Sequence, residues 1–187
     1  MSTALSSSTR GRIAVGGVLL AGAAVSVALG VYGSLHQPAL RPLWLFGFSG
    51  MLQAKTWLAT AAIVFVVVQM ATGLWVFGRL PGAGPAPRWV APTHRFSGAI
   101  AFVLLVPVAL HCLWSLGFST VSPRVLVHSI AGCTFYGAYV AKMLGLRVRG
   151  LPGWTLPLLD GLAFTAVVLA WLTGALWFFT RSGLPLT

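Results

Sequence analysis

Apolar residues run almost unbroken over five stretches of the chain, and polar residues gather between them. The stretches cover residues 13–33, 57–77, 96–116, 125–146 and 158–179. Each is about 20 residues long, the length of helix that crosses a bilayer. They are too long for the strands of a membrane barrel. Backbone groups in lipid must find their partners within the segment, so the stretches are expected to be helices. The pattern predicts an all-α integral membrane helical bundle with five transmembrane helices in a single domain, residues 13–181.

The connecting segments differ in character. Residues 1–12 are rich in Ser and Thr and read as a disordered cytoplasmic tail. Residues 182–187 read as a short outer tail. The first stretch follows Arg10 and Arg12 and contains small residues, as a signal peptide does. Its apolar core is longer than a signal core, so it reads as a retained helix. The segment around Leu80–Pro87 is dense in Pro and Gly and reads as a turn. The loop 34–56 carries Leu43, Trp44, Leu45, Phe46, Phe48, Met51 and Leu52. It is too apolar to float in water and predicts a short element lying along the outer interface.

Basic residues then orient the bundle. With the N-terminus inside, eight of the 12 Lys and Arg residues face inward and four outward. This bias predicts an inner N-terminus and an outer C-terminus in the cytoplasmic membrane. Trp44, Trp57, Trp114 and Trp177 fall near the outer boundary, and Trp75, Trp89 and Trp154 near the inner one.

Composition narrows the chemistry. The hydrophobic fraction is 58%, charged residues make up 7%, and Asp160 is the single acidic residue. The paired carboxylates of glycosidases, calcium cages and carboxylate proton relays are all excluded. The net charge of +11 reads as topology rather than as a nucleic-acid surface. Cys112 and Cys133 lie inside apolar stretches, at depths that do not favour a bridge. Gln69 reads as interhelical glue in mid-membrane. Asp160 is expected to pair with Lys142 or Arg95.

Four histidines remain as candidates: His36, His94, His111 and His128. An ionisable residue inside a span is a functional candidate by default. His111 and His128 fall at similar depth on consecutive antiparallel helices, near the outer face. Two such imidazoles can be the axial ligands of haem iron. Gly132 lies one turn from His128 and leaves room for a flat macrocycle, which Ala131, Gly137 and Ala138 widen. Tight helix packing is the alternative use of these small residues. Arg124 at the outer rim is placed to pair with propionates. His94 lies 17 residues before His111, which is off its face on an ideal helix. It is either a ligand of a second haem, with Met143 as its axial partner, or an interfacial residue capping its helix. His36 is an alternative outer ligand, part of a quinone pocket with Arg41 and Trp44, or a headgroup-level loop residue.

The third helix reads Thr93-His94-Arg95-Phe96-Ser97-Gly98 and later His111-Cys112-Leu113-Trp114. It resembles the histidine-bearing helix of transmembrane b-type cytochromes of the cytochrome b561 and ferric-reductase-like kind. The whole chain also resembles a family of actinobacterial membrane proteins with no settled function. The shared pieces are these two, with Arg124-Val125-Leu126-Val127-His128-Ser129 and Leu151-Pro152-Gly153-Trp154. The cytochrome resemblance covers mainly the third and fourth helices. Two-haem members carry two complete histidine pairs spaced more closely than here.

The expectation is a membrane b-type cytochrome. It would bind haem b, one or two copies, and pass electrons between membrane quinol and an external electron carrier. No stretch reads as a flavin or nicotinamide domain, so an electron-transfer protein or redox subunit is favoured over a stand-alone enzyme. The alternative is a haem-free quinone-binding, anchor or assembly subunit of a larger respiratory complex. The lipid bilayer is a partner in either case, and nucleic acid in neither.

Overall fold

A computed structural model describes residues 2–184, with side chains from residue 11 onward. All regular structure among these residues is helical. Helix α1 spans Ser2–Leu35, α2 Met51–Val76, α3 Val90–Leu110 and α4 Pro123–Gly145. Helix α3 runs on through a π-turn, His111–Leu116. Helix α5 (Thr155–Trp171) passes through a second π-turn, Leu172–Leu176, and resumes as α6, Trp177–Ser182.

Four of these helices are long and apolar enough to cross a membrane: Gly11–Leu35, Met51–Val76, Val90–Leu116 and Thr155–Ser182. The chain is thus a multi-pass membrane protein. Helix α4 is less apolar than the other four. It carries Arg124, His128, Lys142 and a run of small residues, and it buries Ala131, Cys133, Phe135, Gly137, Ala138, Ala141 and Gly145.

Two expected boundaries move. The segment 1–12 continues α1 as helix from Ser2 instead of forming a disordered tail. An apolar span nucleates that helix, and adding residues to an existing helix is cheap. The outer loop is shorter than 34–56, because α1 and α2 extend into it from both sides. Residues 37–50 hold only turns and bends and no helix along an interface. Of the outer tail 182–187, residues 185–187 lie outside the described residues.

The chain divides into two compact units. One joins the chain up to His36 with Phe118–Ala170, and so holds α1, α4 and α5. Its core includes Val18, Ala141 and Leu159, with Val148 against them. Here α1 and α4 pack backbone to backbone. A Cβ on Gly22 would lie 2.6 Å from the Gly137 carbonyl oxygen, so only glycine permits this approach. The segment before α4 is tied to α1 by Phe118 N–H donating to Gly33 O at 2.7 Å. Ser122 caps α4, accepting from Val125 N–H at 3.4 Å, and Pro123 occupies its first turn. Lys142 Nζ and Asp160 Oδ1 pair at 2.5 Å between α4 and α5.

The other unit holds Gln37–Gly117 and the chain from Trp171. Helices α2 and α3 pack along their length, bridged by Gln69, whose amide donates to the His94 carbonyl and to Ser97 Oγ. Trp171 Nε1 donates to Thr60 Oγ1 at 3.0 Å, and Trp57 meets Phe179 edge to face. Trp75 and Trp89 meet at right angles near the start of α3.

Candidate functional site

His111 opens the first π-turn and is 0% exposed. Its backbone N–H reaches the carbonyls of Pro107 and Val108. Pro107 lacks the N–H an α-helix needs at that position, which weakens regular register just ahead of the turn. The His111 ring serves the outer loop. Its Nε2 accepts from Leu43 N–H at 3.1 Å and from Trp44 N–H at 3.4 Å. An imidazole nitrogen that accepts carries no proton, so in the neutral ring the proton sits on Nδ1. That Nδ1 is buried without a hydrogen-bond partner among the described residues. Two further loop bonds land on the same π-turn: Ala39 N–H to Trp114 O and Leu40 N–H to Ser115 O, both 3.1 Å. They satisfy carbonyls that a helix end otherwise leaves orphaned. Lys55 Nζ lies 3.5 Å from Cys112 Sγ beside them.

His128 sits in the other unit, on α4. Its Nδ1 lies 2.9 Å from the Ala170 carbonyl oxygen. A carbonyl only accepts, so Nδ1 carries the proton and Nε2 the lone pair. Ala170 stands in α5, just ahead of the second π-turn. The first π-turn thus carries one of the two histidines expected at the outer face, and the other bonds to a carbonyl on α5. Such turns recur at functional sites.

His94 lies in the first turns of α3, in the same unit as His111. Its Nδ1 is 3.0 Å from Thr72 Oγ1. The Thr72 hydroxyl donates to Val68 O at 2.6 Å, so it accepts from His94, and Nε2 again carries the lone pair. Its Cε1 packs at Gly73, where a Cβ would lie 3.4 Å away.

The remaining expected residues fall in the unit of His128. Arg124 is in the first turn of α4, and Met143 is near its C-terminal end, 39% exposed. Gly132 has no atom within 4 Å of where its Cβ would stand, so there is room on that face. His36 follows α1 and stacks on Tyr32, ring centroids 5.1 Å apart. Cys112 and Cys133 form no disulfide.

A haem axial ligand needs an imidazole lone pair aimed at iron and a fixed opposite nitrogen. The His128 and His94 rings meet the second condition through Ala170 O and Thr72. The Nε2 lone pair of His111 is engaged by two amides, so iron would have to displace Leu43 and Trp44 to reach it. The groups that fix these rings were beyond sequence reasoning. Leu43 lies 68 residues from His111, and Ala170 lies 42 from His128. Pro107 is the one local signal, marking where α3 loses regularity.

Fold and site together define a helical, multi-pass membrane protein with three histidines on its helices, one of them, His111, buried in a π-turn. The chain matches a family of unknown function, DUF6529, over residues 15–186, and it belongs to that family. No curated protein and no solved structure matches it.

Proposed function

We propose that this protein is a five-span b-type cytochrome of the cytoplasmic membrane, with its N-terminus inside. It transfers electrons between membrane quinol and an external redox partner. His128 and His111 would hold haem b, His111 once its ring gives up the loop amides. The observation that supports it is that His111 is buried in the first π-turn and that Ala170 O fixes the His128 ring through Nδ1. In sequence support, the two histidines flank the short connection between α3 and α4, and the third helix resembles those of b-type cytochromes. When bound, haem supplies a one-electron redox centre within the apolar bundle. The chain's own residues do the rest. Ala170 O holds the proton on His128 Nδ1 and raises the basicity of Nε2. Arg124, at the outer start of α4, supplies positive charge for propionates. His94, with Nδ1 fixed by Thr72, is the candidate ligand for a second haem, and Met143 its candidate partner.

One observation favours the haem-free reading, in which the protein is an anchor or assembly subunit. His111 already has a structural task, pinning the outer loop through Leu43 and Trp44. Reduced-minus-oxidised absorption spectra of detergent-purified protein, with haem quantitation, separate the two. The cytochrome reading expects a sharp b-type band that is lost in both His111→Ala and His128→Ala. A flat spectrum from protein made with ample haem sinks it and leaves the anchor reading. A band that persists in both variants moves the ligands elsewhere, with His94→Ala as the next variant.

A further inference from the structure

The start of α1 meets the turn between α4 and α5. A Cβ on Gly11 would lie 3.0 Å from the Gly150 carbonyl oxygen, and further along α1 Val18 packs with Ala141 and Leu159. The first contact puts Arg12 beside the segment that carries Arg147 and Arg149. All three arginines are exposed. Backbone bonds fix the turn that presents the last two. Leu146 N–H donates to Lys142 O at 3.0 Å, Arg147 N–H to Leu144 O at 2.9 Å and Val148 N–H to Gly145 O at 3.2 Å. No acidic side chain is left to neutralise the three. The chain has one, Asp160, and Lys142 holds it. Topology asks only for an excess of basic residues on one side of the membrane. It does not ask that like charges from two segments gather at one contact, where they repel without a counterion. At the opposite end of the same unit, where α1 ends and α4 begins, Arg124 is the only Lys or Arg among the described residues.

The surroundings select the counterion. Ile13 and Leu146 adjoin the arginines in the chain, and Trp154 and Leu158 stand at the start of α5; these four are 54–70% exposed. A soluble anion has no use for such apolar flanks. A lipid brings acyl chains to them and a phosphate to the arginines. The planar guanidinium fork matches phosphate oxygens, and Trp is at home where headgroup meets hydrocarbon.

We infer that Arg12, Arg147 and Arg149 form a binding surface for the phosphate headgroup of an anionic phospholipid, with Leu146 and Trp154 against its acyl chains. The surface does not depend on haem, so it stands or falls apart from the cytochrome reading.

Titration of the full-length protein in neutral detergent with short-chain phosphatidylglycerol tests it, read as a saturable rise in apparent Tm. The rise is expected with this lipid and not with short-chain phosphatidylcholine or inorganic phosphate. Each basic residue near an anionic lipid contributes about fivefold in affinity, so Arg147→Gln with Arg149→Gln should move the midpoint to about 25-fold higher lipid. Arg79 and Arg88, exposed in the other unit, supply the control. Arg79→Gln with Arg88→Gln removes the same charge and should leave the midpoint near that of the wild type. No rise with the wild type overturns the surface. So does an equal shift in the two double variants, which reports bulk charge alone. An equal rise with phosphatidylcholine reports acyl chains alone, and one with inorganic phosphate reports a soluble anion; either overturns it.

Discussion

Asp160 is the one acidic residue in 187, and it is spent on Lys142 at 2.5 Å. The two side chains are 29% and 16% exposed, so the pair sits between the surface and buried regimes. A surface pair contributes little, whereas breaking a buried pair leaves a charge stranded in low dielectric. Asp160→Asn strands the Lys142 ammonium at the end of two apolar helices. The expected cost is about 2–4 kcal/mol, read as a fall in apparent Tm in detergent. Adding Lys142→Met should recover most of it, since removing both charges of such a pair is nearly neutral. A single variant as stable as the wild type would show the pair to be ornamental. The sequence offered Lys142 and Arg95 as equal partners because depth in the membrane was all it encoded. Which helix neighbours which is a packing outcome. His111 is the sharper example. Its place in an apolar helix was legible, but its bonds to Leu43 and Trp44 depend on a loop folding back over a distant π-turn.

Between elements, α1 and α4 depend on small residues at four-residue spacing. Gly22, Ser26 and Gly30 on α1 face Cys133, Gly137 and Ala141 on α4. A Cβ on Gly137 would fall 1.9 Å from Ser26 Oγ and 2.4 Å from the Gly22 carbonyl oxygen. The backbone oxygen cannot move aside as a side chain can. Gly137→Ala should therefore force the helices apart and cost about 1–3 kcal/mol, in the range of overpacked cores. Gly132→Ala is the internal control. It meets nothing within 4 Å and removes a glycine from a helix interior, so stability should hold or rise by up to about 1 kcal/mol. Thermal unfolding of both variants side by side checks this, and equal falls would refute the close approach. The sequence showed these small residues but gave them two uses, packing and room for a macrocycle. The structure divides them: Gly137 packs on α1, and Gly132 stays open. Four of the long helices were legible because hydropathy alone demands them. The π-turns were not, since a register shift of one residue leaves no periodic trace and only Pro107 hints at the first.

At the scale of the whole molecule, α4 decides the topology. Four helices are apolar enough to cross on their own account, and α4 is not among them. Its 23 residues still reach about 34 Å, more than the hydrocarbon thickness. Its small-residue face is covered by α1, so lipid meets less of its polar content than the sequence average suggests. Arg124 lies at one end, where a long side chain can reach the headgroups. Lys142 lies near the other and is neutralised by Asp160. The contacts that would let α4 cross are the same ones that the two point variants probe. If α4 crosses as proposed, the number of spans is odd, and the inward bias of basic residues then predicts an outer C-terminus. Alkaline phosphatase joined after Gly150 should be inactive, and joined after Thr187 active, with fluorescent-protein fusions giving the inverse. If α4 stays on the outer side, both signals reverse, because α5 then carries the chain back inward. Asp160→Asn sharpens the comparison. An unpaired Lys142 makes α4 costlier to insert, so the variant should shift part of the Gly150 fusion toward activity.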